Sequence, residues 1–188
     1  KIIASNLTIG NNNTLTIQNG GNLECVSLNL GCPTKNFGTI TASKDLTMNL
    51  GGHPELFNEG VIDVKGEARI NGSNVINHHI FSAKTVKVTS VQLLNKANLN
   101  SATNININGS RIFNYGYIKF DKNDGEIKTD NSTATVIINH DKAKITGHEI
   151  EGHLSVYNDG IIEVSEFTSS SLYNSCTAVS YTHLTLPT

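Results

Sequence analysis

The chain has 188 residues, with 14 Lys plus Arg against 16 Asp plus Glu and a net charge of −2. This balance argues against a dedicated nucleic-acid surface, and no apolar run approaches the ~20 residues of a membrane span. Trp is absent, and the abundance of Asn, Thr, Ser, Gly and Ile favours thin strands and many corners over helices. The chain begins at Lys1 without Met and shows no signal peptide, so we expect an internal fragment, or a start lost to processing or truncation.

The first segment, residues 1–18, alternates apolar and polar residues, which predicts strands of a partial first turn. Its alternating apolar residues are Leu7, Ile9, Leu15 and Ile17. A cysteine-bearing loop is predicted next, from Glu24 to Asn36. Cys25 lies in the apolar register and Cys32 in the loop, which leaves two interpretations open. They form a disulfide, as in secreted proteins, or they are a core cysteine and a loop thiol.

One motif recurs along the chain: two apolar residues, Asn, any residue, Gly, any residue and an apolar residue. It is complete at residues 56–62, 112–118 and 156–162, and looser copies fill the gaps. The repeating asparagines are Asn19, Asn36, Asn58, Asn77, Asn95, Asn114, Asn139 and Asn158. They are separated by 17, 22, 19, 18, 19, 25 and 19 residues. A recurring step near nineteen residues is typical of a repeat architecture.

Each repeat holds three short stretches of period-two alternation, which indicates three strands with one buried face. Three strands of about four residues and three corners account for roughly nineteen residues. One repeat cannot bury its own inward face, but stacked repeats can. The sequence therefore predicts an all-β, right-handed parallel β-helix, a three-sided solenoid of about 19 residues per turn, or rung, and about 8 rungs.

The repeating asparagines have a predicted structural role, not a catalytic one. Corners often require a left-handed backbone, which Asn and Gly tolerate best. Asn side chains stacked at one corner can also hydrogen-bond to each other and to main-chain groups that would otherwise be buried unsatisfied. We therefore predict an asparagine ladder of these eight residues.

The long step from Asn114 to Asn139 has a predicted local cause. Residues 121–125 form a turn signal between two apolar stretches, which favours a short hairpin or a loop excursion from one rung. The same residues loosely resemble a calcium loop, D-x-N-x-D-G. They are one residue short of that spacing and lack the distant Glu, so a plain turn is predicted.

Two histidine pairs invite a metal interpretation that their spacing does not support. A zinc protease motif needs two His four residues apart on a helix, whereas His148 and His153 are five apart in strand-and-turn sequence. His78 and His79 are predicted as solvated side chains at a corner. The prediction is therefore no catalytic residue, no metal site and no cofactor.

The C-terminal region divides into two parts. Residues 172–176 could open a ninth repeat. Residues 179–188 share neither composition nor register with the rest, and they look like the translation of a transposase-type sequencing adapter. We therefore predict one β-helix domain over residues 1–178, a fragment of a longer chain, and a non-native tail over residues 179–188.

The segments at residues 38–42, 46–48, 56–62 and 102–118 resemble the haemagglutinin repeats of filamentous haemagglutinin-like adhesins. The resemblance covers roughly Asn19 to Val164. It implies a secreted or cell-surface exoprotein of a Gram-negative bacterium, exported by a two-partner or autotransporter-like route with an outer-membrane secretion partner. The β-helix would be a rod that presents adhesive or toxic modules to an unidentified glycan or protein receptor on a host cell or surface.

A rod segment of an adhesin, not an enzyme, is therefore the predicted function, and a β-helical carbohydrate-active enzyme or a glycan-binding module is the alternative. Such an enzyme needs carboxylates gathered on one face over neighbouring rungs. The outward position five residues after each Asn shows no such gathering. It reads Glu24, Thr41, Asp63, Ser82, Asn100, Lys119, Lys144 and Glu163. The charged group within residues 63–69 is predicted to be a solvated face of one rung, and the Thr residues form no regular array.

Overall fold

The computed structural model describes residues 1–10, 13–49, 55–108, 111–129 and 135–185, with the side chains of residues 72, 73, 90, 91 and 178–185 outside the description. These ranges contain nineteen β-strands and no helix. They are β1 (Ile2–Ile9), β2 (Leu15–Ile17), β3 (Asn22–Leu30), β4 (Thr34–Asn36), β5 (Thr39–Ala42), β6 (Leu46–Asn49), β7 (Glu55–Asn58), β8 (Val61–Asn77), β9 (Ile80–Asn95), β10 (Asn98–Ser101), β11 (Ile105–Asn108), β12 (Arg111–Asn114), β13 (Tyr117–Lys119), β14 (Glu126–Lys128), β15 (Thr135–Asn139), β16 (Lys144–Thr146), β17 (Glu149–Asn158), β18 (Ile161–Asn174) and β19 (Thr177–Thr185).

Three strands make one rung, and each strand pairs in parallel with its counterpart in the next rung. β4, β5 and β6 form one rung, and β7 and β8 of the next rung pair with them in parallel. We call the strands that end at the repeating Asn face 1, the strands that follow that corner face 2, and the third set face 3. The long strands β8 and β9 continue through corners and contribute to all three faces. The predicted parallel β-solenoid of about eight turns is confirmed.

The interior consists of apolar columns, one side chain per rung, because alternate residues of each strand point inward. On face 2 the column is Leu23, Ile40, Ile62, Phe81, Leu99, Ile118, Ile145 and Ile162, none more than 2% exposed. Each such side chain is covered by its neighbours in the adjoining rungs. Burial of one such side chain contributes about 1.5–3 kcal/mol, so the stacking of rungs supplies the stability that a single rung lacks.

The long step from Asn114 to Asn139 arises at two corners. Ile105 lies ten residues after Asn95, whereas its partner Ile127 lies thirteen residues after Asn114, so residues 120–125 carry three extra residues. Three more lie between β14 and β15, where residues 130–134 are outside the described part. Of the two predicted forms, the hairpin is wrong, because β13 and β14 pair with strands of other rungs and not with each other. The loop excursion from one rung agrees with the three extra residues of this corner.

The predicted cysteine-bearing loop is also wrong in extent. β3 continues through a corner to Leu30 and β4 begins at Thr34, so only residues 31–33 lie outside the strands. Cys25 and Cys32 are free thiols, and both are buried. The Sγ of Cys25 lies 3.7 Å from the carbonyl oxygen of Thr41 in the next rung. The disulfide is not formed; Cys25 is a core cysteine and Cys32 a thiol of the corner loop, as the second interpretation has it, although Cys32 is also fully buried.

The last strand extends the stack beyond the predicted ninth repeat. The backbone of β19 pairs in parallel with β18, with Ile161 opposite Thr177 and Thr168 opposite Thr185. The adapter origin of residues 179–188 stays a prediction. The described ranges include no helix whose length and apolar character would suffice to cross a lipid bilayer.

Candidate functional site

Seven of the eight predicted asparagines lie in one line inside the solenoid. Each donates a hydrogen bond from its Nδ2 to the Oδ1 of the next, over distances of 2.7–2.9 Å. The order is Asn36, Asn58, Asn77, Asn95, Asn114, Asn139, Asn158 and then Asn174. The first seven are at most 1% exposed. The asparagine ladder is thus a continuous chain of amide dipoles that satisfies polar groups in the core.

Asn19 does not belong to the asparagine ladder, and Asn174 does. In the register of the sheet, Ile17 is opposite Asn36, and Asn19 is an exposed residue of the following turn. The step from Ile17 to Asn36 is nineteen residues. The irregular step of seventeen residues between Asn19 and Asn36 is therefore not a spacing between rungs, because Ile17 and not Asn19 is the residue equivalent to Asn36. Asn174 accepts from Asn158 at 2.7 Å, in the segment that the sequence indicated as the start of another repeat.

The Asn-x-Gly spacing has a local cause that differs from the predicted one. The Oδ1 atoms of Asn36, Asn114 and Asn158 accept the backbone N–H of the glycine two residues later, at 3.2–3.3 Å. Among the described residues, only Gly20, Lys142 and Gly152 have positive φ, so the ladder residues are not left-handed. Gly is used at the corner for close approach, since a Cβ on Gly60 would collide with the carbonyl of Gly38.

The residues considered for metal binding lie at corners and strand ends. His148 precedes β17 and His153 lies within it, so the helix that the zinc motif requires is not formed. Asp121 accepts the backbone N–H of Asn123 at 2.7 Å, which is the geometry of an Asx turn. His78 lies at the face 1 corner, with its Nδ1 3.6 Å from a Glu59 oxygen and its ring tilted against Phe57.

The outward column of face 2 follows the sequence prediction except at one rung. Thr146, not Lys144, is opposite Lys119, because the corner after Asn139 is two residues longer than the corner after Asn114. Lys144 is opposite Tyr117 and forms an ion pair with Glu163 at 2.8 Å. The charged group at residues 63–69 includes a neighbour that the sequence did not show, since Lys87 of the next rung lies 2.7 Å from Glu67.

Face 3 carries a column of carboxylates that sequence reasoning missed. Glu126 is opposite Glu149, and Glu149 is opposite Glu166, on three successive rungs. Carboxylate oxygens of Glu126, Glu149 and Glu151 lie within 4.8 Å of one another. Lys128 partly compensates this charge, with its Nζ 3.2 Å from Glu151 and 3.6 Å from Glu126.

The pKa values of Glu149 and of the neighbouring Lys128 are both raised. Partial burial, and next the negative charges of Glu151, Glu166 and Glu126, raise the pKa of Glu149 above its usual value. The hydrogen bond from Lys128 to Glu151 and the charges of the neighbouring carboxylates raise the pKa of Lys128. A carboxyl group whose pKa is raised by burial and by neighbouring carboxylates has the character of a general acid.

Face 1 carries an outward apolar column that sequence reasoning also missed. It consists of the residue before each ladder Asn from Asn58 to Asn174, and these residues are opposite one another on seven successive rungs. We call Phe57, Ile76, Leu94, Phe113, Ile138, Tyr157 and Tyr173 the face 1 stripe. The first five are half-buried, and Tyr157 and Tyr173 are 43% and 59% exposed.

Aromatic rings stack along the edge and the end of this face. The rings of Tyr157 and Tyr173 are nearly parallel with centroids 4.8 Å apart, and those of Tyr115 and His140 are stacked at 3.8 Å. Within the stripe itself, the rings of Tyr157 and Tyr173 therefore cover each other on one side. Contiguous apolar surface on a soluble protein is typical of a site of interaction.

These features define a class, a three-sided parallel β-solenoid with a polar internal ladder and chemically distinct outer faces. No family model, curated protein or solved structure matches the chain. The fold and its surface chemistry are therefore the basis for the functional proposal.

Proposed function

We propose that the chain is a rod segment of a secreted or surface-exposed bacterial adhesin, mediating attachment or presenting distal modules. The resemblance of its repeats to filamentous haemagglutinin-like adhesins supports this role. The observation that carries it is the unbroken asparagine ladder from Asn36 to Asn174. The eight rungs of the ladder stack on the rung of Ile17, which makes nine rungs. At the strand spacing of ~4.8 Å, the eight intervals between them give a prism about 38 Å long.

The outer surface fits attachment because face 1 carries one column of apolar and aromatic side chains along the axis. The face 1 stripe exposes apolar and aromatic groups on seven rungs, and such surface is typically covered by a partner. A host-cell or surface glycan or protein receptor, an outer-membrane secretion partner and a location at the cell surface all belong to this proposal.

Attachment is testable with the chain itself. Beads coated with the folded chain should attach to host cells, and soluble chain added in excess should compete. Beads coated with the urea-unfolded chain are the control, because they carry the same composition without the faces. Equal attachment by both kinds of beads, or no attachment by either, would refute the adhesive role.

The alternative is a β-helical carbohydrate-active enzyme, and the face 3 carboxylates are the observation that favours it. Glycosidases use two carboxyl groups about 5–10 Å apart, one of them with a raised pKa. Carboxylate oxygens of Glu149 and Glu151 lie within 4.8 Å of each other, at or below the lower end of that range, and Lys128 already forms an ion pair with Glu151. Release of reducing ends from acidic or neutral polysaccharides, abolished in Glu149→Gln, would establish this alternative over the rod.

A further inference from the structure

A groove of about 1040 Å³ opens beside face 2, at the corner that leads to face 3. It crosses four rungs, since Asp63, Ser82, Asn100 and Lys119 are opposite one another in successive strands. Four lysines line it, namely Lys65, Lys84, Lys119 and Lys122. We call this feature the lysine groove.

The concave shape follows from the inserted corner. Residues 120–125 are three residues longer than the equivalent corner of the preceding rung, where the small side chain of Ala102 lines the groove. The corner is held by Phe120, which is fully buried, and by the Asx turn from Asp121 to Asn123. The inserted corner therefore forms one end wall of the groove.

The charge of the lysine groove is opposite to that of the chain. Its four lysines face two acids, Asp63 and Asp121, which gives a local balance of +2 on a chain of net charge −2. Asp63 forms an ion pair with Lys65, at 2.6 Å between Oδ2 and Nζ. The other three lysines are exposed, and within the described ranges they form no ion pair. Three cations are therefore available to a ligand.

The surface continues along the axis beyond the groove. A smaller depression shares Asn100, Lys119 and Lys122 with it and extends over Lys144, which forms an ion pair with Glu163. From the rung of Lys65 to the rung of Lys144, four strand spacings of ~4.8 Å give a track of about 19 Å. Its length fits a chain of several repeating anionic units better than a single small anion.

We propose that the lysine groove binds an extended anionic polysaccharide. Lys84, Lys119 and Lys122 pair with its carboxylate or sulfate groups, and the hydrogen-bonded pair of Ser82 and Asn100 lies between them for its hydroxyls. This assignment deepens the proposed attachment function and rests on it, because it names the chemistry of the receptor.

The lining favours a polysaccharide over a nucleic acid. Single-stranded nucleic acids stack successive bases on exposed aromatic side chains. Phe120 of the groove is fully buried, and Tyr117 of the adjoining depression is a single exposed ring, which does not make such a series. Bidentate phosphate recognition uses Arg, and the cations of the lining are all Lys. Lys acts as a point charge and suits carboxylates and sulfates spaced along a flexible chain.

The test compares two triple variants with the same charge change. Lys84→Gln, Lys119→Gln and Lys122→Gln together remove the free cations of the groove. Lys35→Gln, Lys96→Gln and Lys142→Gln remove three exposed lysines that do not line it. Binding to dextran sulfate and to alginate, with uncharged dextran as a control, is measured by isothermal titration at two salt concentrations. Far-UV circular dichroism checks that both variants keep the parental fold.

We expect the groove variant to bind dextran sulfate or alginate roughly tenfold more weakly, because it loses three exposed ion pairs that each contribute modestly. The control variant should lose less than threefold, and higher salt should weaken parental binding. Equal losses in the two variants, or equal binding of uncharged dextran, would overturn the groove assignment. Tighter binding of a single-stranded oligonucleotide than of either polyanion would assign the groove to nucleic acid instead. If parental beads attach to cells but the groove variant binds polyanions normally, the groove fails and the attachment function stands.

Discussion

Replacing Asn95 by Ala tests whether the asparagine ladder stabilises the fold from within. Asn95 lies near the middle of the ladder and is fully buried. Its Oδ1 accepts from Asn77 at 2.9 Å, and its Nδ2 donates to Asn114 Oδ1 at 2.9 Å. The same Nδ2 reaches the carbonyl oxygens of Ala97 and Tyr117, each at 3.0 Å. Since one NH₂ has only two hydrogens, these three donated bonds are shared.

The expected magnitude follows from this count. Two hydrogens donated and one bond accepted are about three hydrogen bonds, each worth about 0.5–1.5 kcal/mol. The amide and carbonyl groups left behind are buried and cannot reach water, and each adds part of a desolvation cost of about 1–3 kcal/mol. We therefore expect Asn95→Ala to lower the free energy of unfolding by about 3–5 kcal/mol, a large share of the ~5–15 kcal/mol of a typical domain.

The matched control is Asn19→Ala, which changes the same residue type at an exposed turn outside the ladder. Its cost should remain within about 0.5 kcal/mol. Urea unfolding followed by far-UV circular dichroism measures both, with the midpoint and the slope compared because repeat arrays can unfold in more than one step. Equal shifts of the two midpoints, or a loss below about 0.5 kcal/mol for Asn95→Ala, would show that the ladder contributes nothing special to stability.

Three further predictions concern face 3, a corner and the thiols. Because the pKa of Glu149 is raised in the folded state, the free energy of unfolding falls as pH rises through that pKa. Glu149→Gln removes the repelled charge and should raise the free energy of unfolding by about 0.2–1 kcal/mol at pH 7. That gain should vanish in urea titrations below the ordinary value of 4.5, and a gain that persists in acid would contradict the charge argument. A Cβ on Gly147 would collide with the Phe120 ring, so Gly147→Ala should cost about 1–3 kcal/mol in urea unfolding. Gly10→Ala, which meets nothing within 4 Å, is the control, and equal costs would refute the collision. Cys176 is exposed, whereas Cys25 is buried and burial raises its pKa. A thiol reagent should therefore label Cys176 before Cys25, as followed by mass spectrometry, and labelling of Cys25 first would contradict the burial.

The rung architecture could be read from the sequence because two independent signals agree. Period-two alternation marks each strand, and the recurrence of Asn near every nineteenth residue marks each rung. The failure at Asn19 shows which signal is stronger. Its Asn-Gly-Gly sequence resembles the motif locally, yet the register places Ile17 opposite Asn36. An apolar residue can occupy the first position of the ladder because the stack of amides simply begins one rung later.

The face 1 stripe was accessible to sequence reasoning and was missed. The repeats from Asn58 onward carry two apolar residues before the Asn, and strand geometry requires that one of them point outward. Phe57 and Tyr157 are such outward residues, whereas the residues before them, Leu56 and Val156, are at most 1% exposed. An apolar pair at a position where alternation demands one polar residue is therefore a signal of surface function.

The face 3 carboxylates could not be found by counting from the asparagines. Glu126, Glu149 and Glu166 lie twelve, ten and eight residues after Asn114, Asn139 and Asn158, respectively, yet they are opposite one another. The corners before these residues differ in length, so counting a fixed number of residues from each Asn reaches a different column in each rung. The same difference in corner length explains why the sequence predicted Lys144 in the outward column of face 2, where the structure has Thr146.

Corner length is thus the variable through which this fold can change its surface without changing its core. The insertion at residues 120–125 builds a wall of the lysine groove, while Ile118 before it and Ile127 after it remain stacked in their columns at no more than 2% exposure. Strand residues are constrained on their inward side by the rungs above and below, whereas a corner can lengthen at a cost that grows only slowly with its length. Binding surfaces of the solenoid should therefore be sought where the repeat step departs from nineteen residues.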